Sequence, residues 1–256
     1  MTAAELIYED DLVQLFRGDY RMAIDTLADQ DVQAIVTDPP YGETNLEWDR
    51  WPDGWLQDAA RITRALWCFG SFRMFHEHAA EFGEAGWRLS QDIVWEKHNG
   101  SSLAADRFRR VHELATFWYR GEWSTLRHEV PTTADAVART VRKKSKPAHH
   151  HGAAGPSLYT SEDGGPRLMR SVMKVRSEHG RAIHPTQKPL GIIEPLIEYS
   201  VDRGGLMVYL FSGSASIALA ARQAGRRCIA FESRLDYAIA AAKRLAQQDF
   251  DLGALA

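Results

Sequence analysis

A chain of 256 residues with 45% hydrophobic and 25% charged side chains has the composition of an ordinary soluble globular protein, with room for one domain or one domain carrying an insertion. No amino-terminal basic-then-apolar segment speaks for secretion, and the longest apolar region, residues 206–221, is interrupted by Ser212, Gly213, Ser214 and Ser216 and is short for a membrane span, so a cytoplasmic chain with no membrane partner is expected. The net charge of −3 hides a basic island: residues 101–188 hold 16 Lys and Arg against 8 Asp and Glu, and such an island attracts a phosphate backbone whatever the total.

Residues 12–16 predict a short strand, Gly18-Asp19 a turn, and residues 20–27 a helix. Val32 to Thr37 is the next strand. It has to stop at Asp38, because Pro39 and Pro40 lack the N–H a ladder needs and fix their own φ. The result is a stiff loop at the carboxyl end of a strand, where open α/β sheets place ligands. Its residues suit chemistry on the exocyclic amino group of a nucleobase, whose lone pair is delocalised into the ring. The Asp38 carboxylate and the Pro39 carbonyl could accept both N–H bonds, hold the nitrogen off the ring plane and localise that lone pair, from a loop already aimed before the substrate arrives. Tyr41 could stack on the base. The same four residues also read as a proline-rich turn with a buried tyrosine.

Trp48, Trp51 and Trp55 follow, either as pocket wall or as ordinary packing. Residues 53–63 predict a helix, 65–69 a buried strand, and 74–85 a helix closed by Gly86 as its carboxyl cap. Ile93 to Trp95 reads as a strand running into Glu96-Lys97-His98-Asn99-Gly100. Beyond it, Arg107, Arg109 and Arg110 around Phe108 suggest a phosphate clamp before His112-Glu113 and a strand over 114–119. From about residue 122 to 180 the periodicity is lost, turn residues recur, and basic residues lie among them at Arg167, Arg170, Lys174, Arg176 and Arg181. A long irregular insertion of this kind is functional or disordered, and is the natural place for sequence reading. Within it, Arg142, Lys143, Lys144 and Lys146 suit either a phosphate backbone or a solvated loop. The His149–His151 run has no acid or cysteine nearby to complete a metal site, and Cys68 and Cys228 read as reduced core thiols, so no metal is expected.

Periodicity resumes after His184-Pro185-Thr186-Gln187-Lys188-Pro189 with a helix over 190–200. A buried strand over 206–210, a small-residue turn from Phe211 to Ser216, a helix over 217–224 and a strand over 227–231 ending in Glu232 complete the pattern. Strand, tight turn, helix, strand, acid is the layout of a nucleotide-binding βαβ unit, in which the acid takes the ribose hydroxyls. Alternating strands and helices argue for an α/β fold with a parallel sheet.

Asp38-Pro39-Pro40-Tyr41, then His184-Pro185-Thr186-Gln187-Lys188-Pro189, then Phe211-x-Gly213 with Glu232, in that order, resemble the beta group of exocyclic-amino DNA methyltransferases; Trp95-Glu96-Lys97 and His112-Glu113 look like its secondary blocks. The resemblance implies a Rossmann-like S-adenosylmethionine-dependent methyltransferase fold with circularly permuted motif order and a seven-stranded, mostly parallel sheet. Residues 1–122 would be the catalytic half, 123–180 the target-recognition insertion and 181–256 the cofactor-binding half. Asp38, Pro39, Pro40 and Tyr41 would hold a base flipped out of double-stranded DNA. Asp38, His184, Thr186, Lys188, Phe211, Ser212, Gly213, Ser214 and Glu232 would hold S-adenosylmethionine, with Glu232 on the ribose. Arg107, Arg109, Arg110, Arg142, Lys143, Lys144, Arg170, Lys174 and Arg176 would contact DNA, and the family allows a homodimer.

A loop beginning with Asp implies adenine N6 as the target, cytosine N4 being the alternative. Two positions depart from the family pattern: Tyr209 stands where an acid is expected, removing a partner for the cofactor's ammonium group, and Ala215 stands where a second glycine is expected. These departures motivate an alternative to the methyltransferase reading, a DNA-binding homologue with a weakened or lost cofactor site.

Overall fold

The computed structural model describes residues 4–98, 100, 105–143, 157–178, 180, 182, 184 and 187–253, without the side chains of 143, 157 and 248–253. The chain divides into two compact units, one of residues 1–129 with 171–256 and one of Val130–Arg170.

In the larger unit, β1 (Glu5–Glu9) and β2 (Val13–Arg17) form an antiparallel hairpin. Its turn is held by Asp10, whose carboxylate accepts the N–H groups of Leu12 and Val13 at 2.8 and 2.7 Å. A 3-10 turn, Tyr20–Ala23, runs into α1 (Ile24–Ala28), shorter than the helix expected over 20–27. Then come β3 (Val32–Thr37), α2 (Trp55–Ile62), β4 (Ala65–Gly70), α3 (Phe72–Glu84), β5 (Arg88–Glu96) and β6 (His112–Tyr119). Ser71 caps α3 by accepting the Met74 N–H at 3.0 Å, and Gly86, at φ 81°, ends it with Trp87 N–H bonded back to the Phe82 carbonyl.

The smaller unit holds β7 (Thr132–Thr133), β8 (Arg139–Lys143), β9 (Ser157–Ser161) and β10 (Arg167–Leu168), paired antiparallel as β7 with β10 and β8 with β9. The chain returns to the larger unit through β11 (Val172–Lys174), α4 (Leu190–Ser200), β12 (Leu206–Tyr209), α5 (Ser216–Gln223), β13 (Arg227–Glu232) and α6 (Leu235–Gly253).

One sheet runs in the order β1-β2-β13-β12-β3-β4-β6-β5-β11. The expected seven strands are its interior, and the count is corrected to nine by two edge strands. β1 is a largely exposed edge without a continuous apolar run, and β11 has three residues, too few for a periodic signal. Five neighbouring pairs are parallel; β1 with β2, β4 with β6 and β5 with β6 are antiparallel. Side chains alternate across the strands to build a core on each face. Ala34, Val36, Trp67 and Met207 pack with α4 and α5, while Ile35, Leu66 and Val208 pack with α2 and α3.

The decisive pairing joins an early strand to a late one: β3 lies parallel to β12, with Ile35 opposite Val208. Two parallel neighbours end on the same side, so the loop after β3 and the turn after β12 face a common edge although about 170 residues separate them.

Candidate active site

The Asp38–Tyr41 loop is steadied from behind. Gly42 turns at φ 71°, and the buried Asp49 carboxylate accepts the N–H groups of Gly42 and Thr44 at 2.9 and 2.7 Å. Burial raises the Asp49 pKa, and these hydrogen bonds outweigh it, holding the carboxyl below its ordinary value. The tryptophans that follow divide between the two readings: Trp48 lines a cavity with His184 and Tyr237, Trp51 stacks on His78 at 4.0 Å, and Trp55 is core.

Around Asp38 lies a compact ionic network. One carboxylate oxygen accepts the Tyr41 hydroxyl at 2.6 Å and the other accepts the Lys188 ammonium at 2.6 Å. Glu113 touches the same two groups, Lys188 Nζ at 2.9 Å and the Tyr41 hydroxyl at 2.8 Å, and its other oxygen accepts Lys97 Nζ at 2.6 Å. Tyr41 has one proton for two carboxylates, so Asp38 and Glu113 compete for it. Burial and the neighbouring Glu113 raise the Asp38 pKa against the pull of Lys188. Glu113 is also raised by burial, but Lys188 and Lys97 together hold it down at about 2. The two carboxylates hold Lys188 charged, raised to about 12 despite burial.

The opposite wall is the β12–α5 turn. Gly213 adopts φ 51°, and its N–H donates at 2.7 Å to Glu232, whose second oxygen accepts the Arg234 N–H at 2.8 Å. Glu232 sits at the end of β13, mostly buried, and burial raises its pKa. Ala215 takes φ 57°, the single non-glycine residue with positive φ among those described, in the position where the family pattern has glycine. A left-handed conformation costs a non-glycine residue roughly 1–2 kcal/mol. Tyr209 is buried and lines the cavity, its phenol pushed up by burial with Asp38 and Glu232 nearby.

Both walls enclose one cavity of about 790 Å³, a volume in the range of cofactor and substrate sites. Asp38, Pro39, Pro40 and Tyr41 line it on the β3 side; Phe211, Gly213, Ser214 and Glu232 line it on the β12 side. His184 and Lys188 close the space between, His184 packed on Tyr237 at 4.3 Å with its pKa lowered by burial to about 4. Ser212 is a correction. Its side chain is fully buried and does not line the cavity, and its N–H donates to the Phe231 carbonyl at 2.7 Å, which ties the residue to the end of β13. Thr186 lies outside the described residues.

Several lining residues escaped the sequence reading as site residues. Glu113 and Lys97 stood only within secondary blocks, since a single charge at a strand end carries no spacing signal. Tyr237 and Arg234 lie on or just before α6, an element with no expected counterpart.

The basic residues fall into separate groups. In the larger unit Arg107 and Arg109 are exposed, Arg110 reaches the cavity rim and pairs with Glu43 at 3.4 Å, Lys174 pairs with Glu96 at 2.9 Å, and Arg176 is exposed. In the smaller unit Arg142 and Arg170 are exposed and Lys143 lies on β8; Lys144 and His149–His151 are outside the described residues. Among the described residues no cluster of three metal-ligating side chains occurs, and no helix is long and apolar enough to cross a membrane.

Residues 32–243, most of the chain, match the model of the family described as DNA methylase, of the N6 and N4 type. The chain belongs to this DNA methylase family. Among its relatives is the type II methyltransferase M.HinfI of Haemophilus influenzae, 22% identical over 265 residues that cover 92% of this chain and 69% of the relative. The fold matches the structure of the M1.HpyAVI–SAM complex with a TM-score of 0.60 at 22% identity, covering 91% of this chain and all of that one. It also matches the PvuII DNA methyltransferase, described as cytosine-N4-specific, with a TM-score of 0.66 at 14% identity, covering 94% and 88%.

The M1.HpyAVI structure is a complex with SAM, and S-adenosylmethionine is the cofactor expected for this chain. The residues present fit it: a buried carboxylate, Glu232, is held in place by two backbone N–H groups at the cavity wall, next to a turn whose glycine keeps the backbone open to a ligand.

Proposed function

We propose that this DNA methylase modifies the exocyclic N6 of adenine in duplex DNA, acting as a cytoplasmic, site-specific enzyme. One observation carries the reading: the acid-and-proline loop and the small-residue turn open into the same cavity, so a base and a cofactor can meet there. The target base leaves the stack, because a paired amino group cannot reach a methyl donor held at the end of a sheet. When bound, S-adenosylmethionine supplies an electrophilic methyl group. Phe211, Gly213, Ser214, His184 and Glu232 hold it in this reading, with Glu232 on the ribose hydroxyls.

Asp38 and the Pro39 carbonyl accept the two amino N–H bonds and draw the nitrogen lone pair out of the ring, and Tyr41 stacks on the base. Asp38 serves as an orienting acceptor, since the amino nitrogen becomes acidic only once methylated and then releases its proton readily. The Lys188 ammonium on one Asp38 oxygen opposes the rise in basicity that burial causes and holds the carboxylate as a fixed acceptor. Arg107, Arg109, Arg110, Lys174 and Arg176 of the larger unit, with Arg142, Lys143 and Arg170 of the smaller one, meet the phosphate backbone.

The test is modified-base sequencing of DNA from cells that lack other DNA methylation and express the protein. N6-methyladenine at one recurring sequence is expected, and its loss in Asp38→Ala with cofactor binding retained. N4-methylcytosine instead would assign the alternative target. Unmodified DNA, together with no calorimetric binding of S-adenosylmethionine, would favour the lost-cofactor reading that Tyr209 motivates.

A further inference from the structure

The network behind Asp38 contains more charge than holding one loop requires. Lys97, Glu113, Lys188 and Asp38 bring two cations and two anions together at side-chain exposures between 4% and 23%. Four such charges are tolerated only when each is compensated, and here each finds an opposite partner within 2.9 Å. Lys97 is also held over the Trp95 ring, at 4.5 Å. The network is not core: Lys97, Glu113, Lys188, Asp38 and Tyr41 all line the cavity.

Tyr41 and Lys188 each take one oxygen of Asp38. A carboxylate has about four lone-pair sites, so the two contacts leave each oxygen able to accept again while fixing the plane of the group. Tyr41 and Lys188 both converge in turn on a single oxygen of Glu113. We propose that Glu113, anchored by Lys97, is a positioning residue of the transfer site: it locks the Tyr41 hydroxyl and the Lys188 ammonium against Asp38, so that the remaining lone pairs of Asp38 point at the amino group of the substrate base. This rests on the methyl-transfer reading above. Glu113 reaches the chemistry through two other side chains, on β6, a strand that carries neither the catalytic loop nor the cofactor turn.

The arrangement has an electrostatic signature that the rate against pH reads, beside the loss of plateau rate that positioning predicts. The groups facing Asp38 are Tyr41 on its own loop, Cys68 of β4, Glu113 of β6 with Lys97 behind it, Lys188 before α4 and Tyr209 of β12. Burial keeps Cys68, Tyr41 and Tyr209 neutral through the working range. The charge beside Asp38 is therefore set by Glu113, Lys97 and Lys188; His184 and Glu232 titrate in the same cavity, so it is the shift of the acidic limb between variants that reports protonation of Asp38.

The experiment uses the full chain, tritiated S-adenosylmethionine and unmethylated amplified genomic DNA, with single-turnover transfer rates measured across pH and cofactor affinity measured by calorimetry. Glu113→Gln removes a negative charge beside Asp38, so its acidic limb is expected at lower pH, with the plateau rate down roughly ten- to a hundredfold. Lys97→Met removes a positive charge, so its limb is expected at higher pH. Cofactor affinity should change by less than about threefold in both, because neither residue belongs to the β12–α5 turn. Limbs that stay at the wild-type pH in both variants, or a plateau unchanged in Glu113→Gln, would overturn the proposal. If Glu113→Gln does not fold, a plateau rate lowered in Lys97→Met and restored in Lys97→Arg supports the proposal, and an unchanged plateau in Lys97→Met overturns it. A wild-type chain that transfers no methyl group to any DNA overturns the functional reading itself, an outcome distinct from active wild-type protein with unmoved limbs.

Discussion

His184 illustrates how a residue inside a motif acquires its character from its surroundings. Its imidazole is packed between Trp48 and Tyr237, at ring distances of 5.4 and 4.3 Å, and burial together with the nearby Lys188 lowers its pKa from 6.5 to about 4. The folded chain thus keeps it neutral where the unfolded chain protonates it. Stability from this residue is constant above pH 6.5, falls as the pH drops from 6.5 towards 4, and is level again below that, a change on the order of 2–3 kcal/mol. Glu113 acts lower on the scale. Its carboxyl is held at about 2, so its contribution is present above pH 4.5 and lost as the pH falls towards 2. Urea titrations at pH 7 and pH 4.5 should show the His184 window, and His184→Gln should flatten it; an unchanged slope in that variant would place the acid sensitivity elsewhere. The sequence marks His184 as part of a recurring motif. It says nothing of the aromatic packing that keeps the ring neutral.

At the level of elements, the strands with continuous apolar runs were readable to within a residue or so. Val32–Thr37, Ala65–Gly70 and Leu206–Tyr209 are buried on both faces, so little else could be made of them. β5 was expected over three residues and spans nine, because its first half is exposed and alternates poorly. The helices α2 and α3 dock through aromatic side chains. Phe82 is fully buried, stacked on Trp118 at 4.0 Å with Trp55 at 6.3 Å. Phe82→Ala is expected to destabilise the chain by about 3–5 kcal/mol in chemical denaturation. Cofactor affinity should be retained wherever the variant is folded, since Phe82 lines no part of the cavity. A loss below 1 kcal/mol would mean the site collapses around the missing ring.

For the molecule as a whole, the division at Val130 and Arg170 separates a sheet that carries the candidate site from a small strand-paired unit. The two ends of that unit are neighbours: Thr132 pairs with Leu168, and Met169 N–H donates to the Pro131 carbonyl at 2.9 Å. A short Gly-Ser linker can therefore replace residues 130–170 without pulling on the sheet. The shortened chain is expected to fold and bind S-adenosylmethionine within a few-fold of the intact protein, while methylation at a defined DNA sequence disappears. Retained sequence-specific methylation, read by modified-base sequencing, would move target recognition into the larger unit.

The sequence by itself determined the α/β class, the interior strands and the loop that must stop at Asp38, because apolar runs and prolines act locally and need no partner to be understood. It also marked Gly213 and Glu232 as the two ends of a nucleotide-binding turn. Only the tertiary structure decided that β3 lies beside β12, that Glu113 and Lys97 stand behind Asp38, and that Ser212 faces away from the cavity. These are pairings across as many as 170 residues, and a charge or a hydroxyl at a strand end gains its partner only when the sheet order brings one within hydrogen-bond reach.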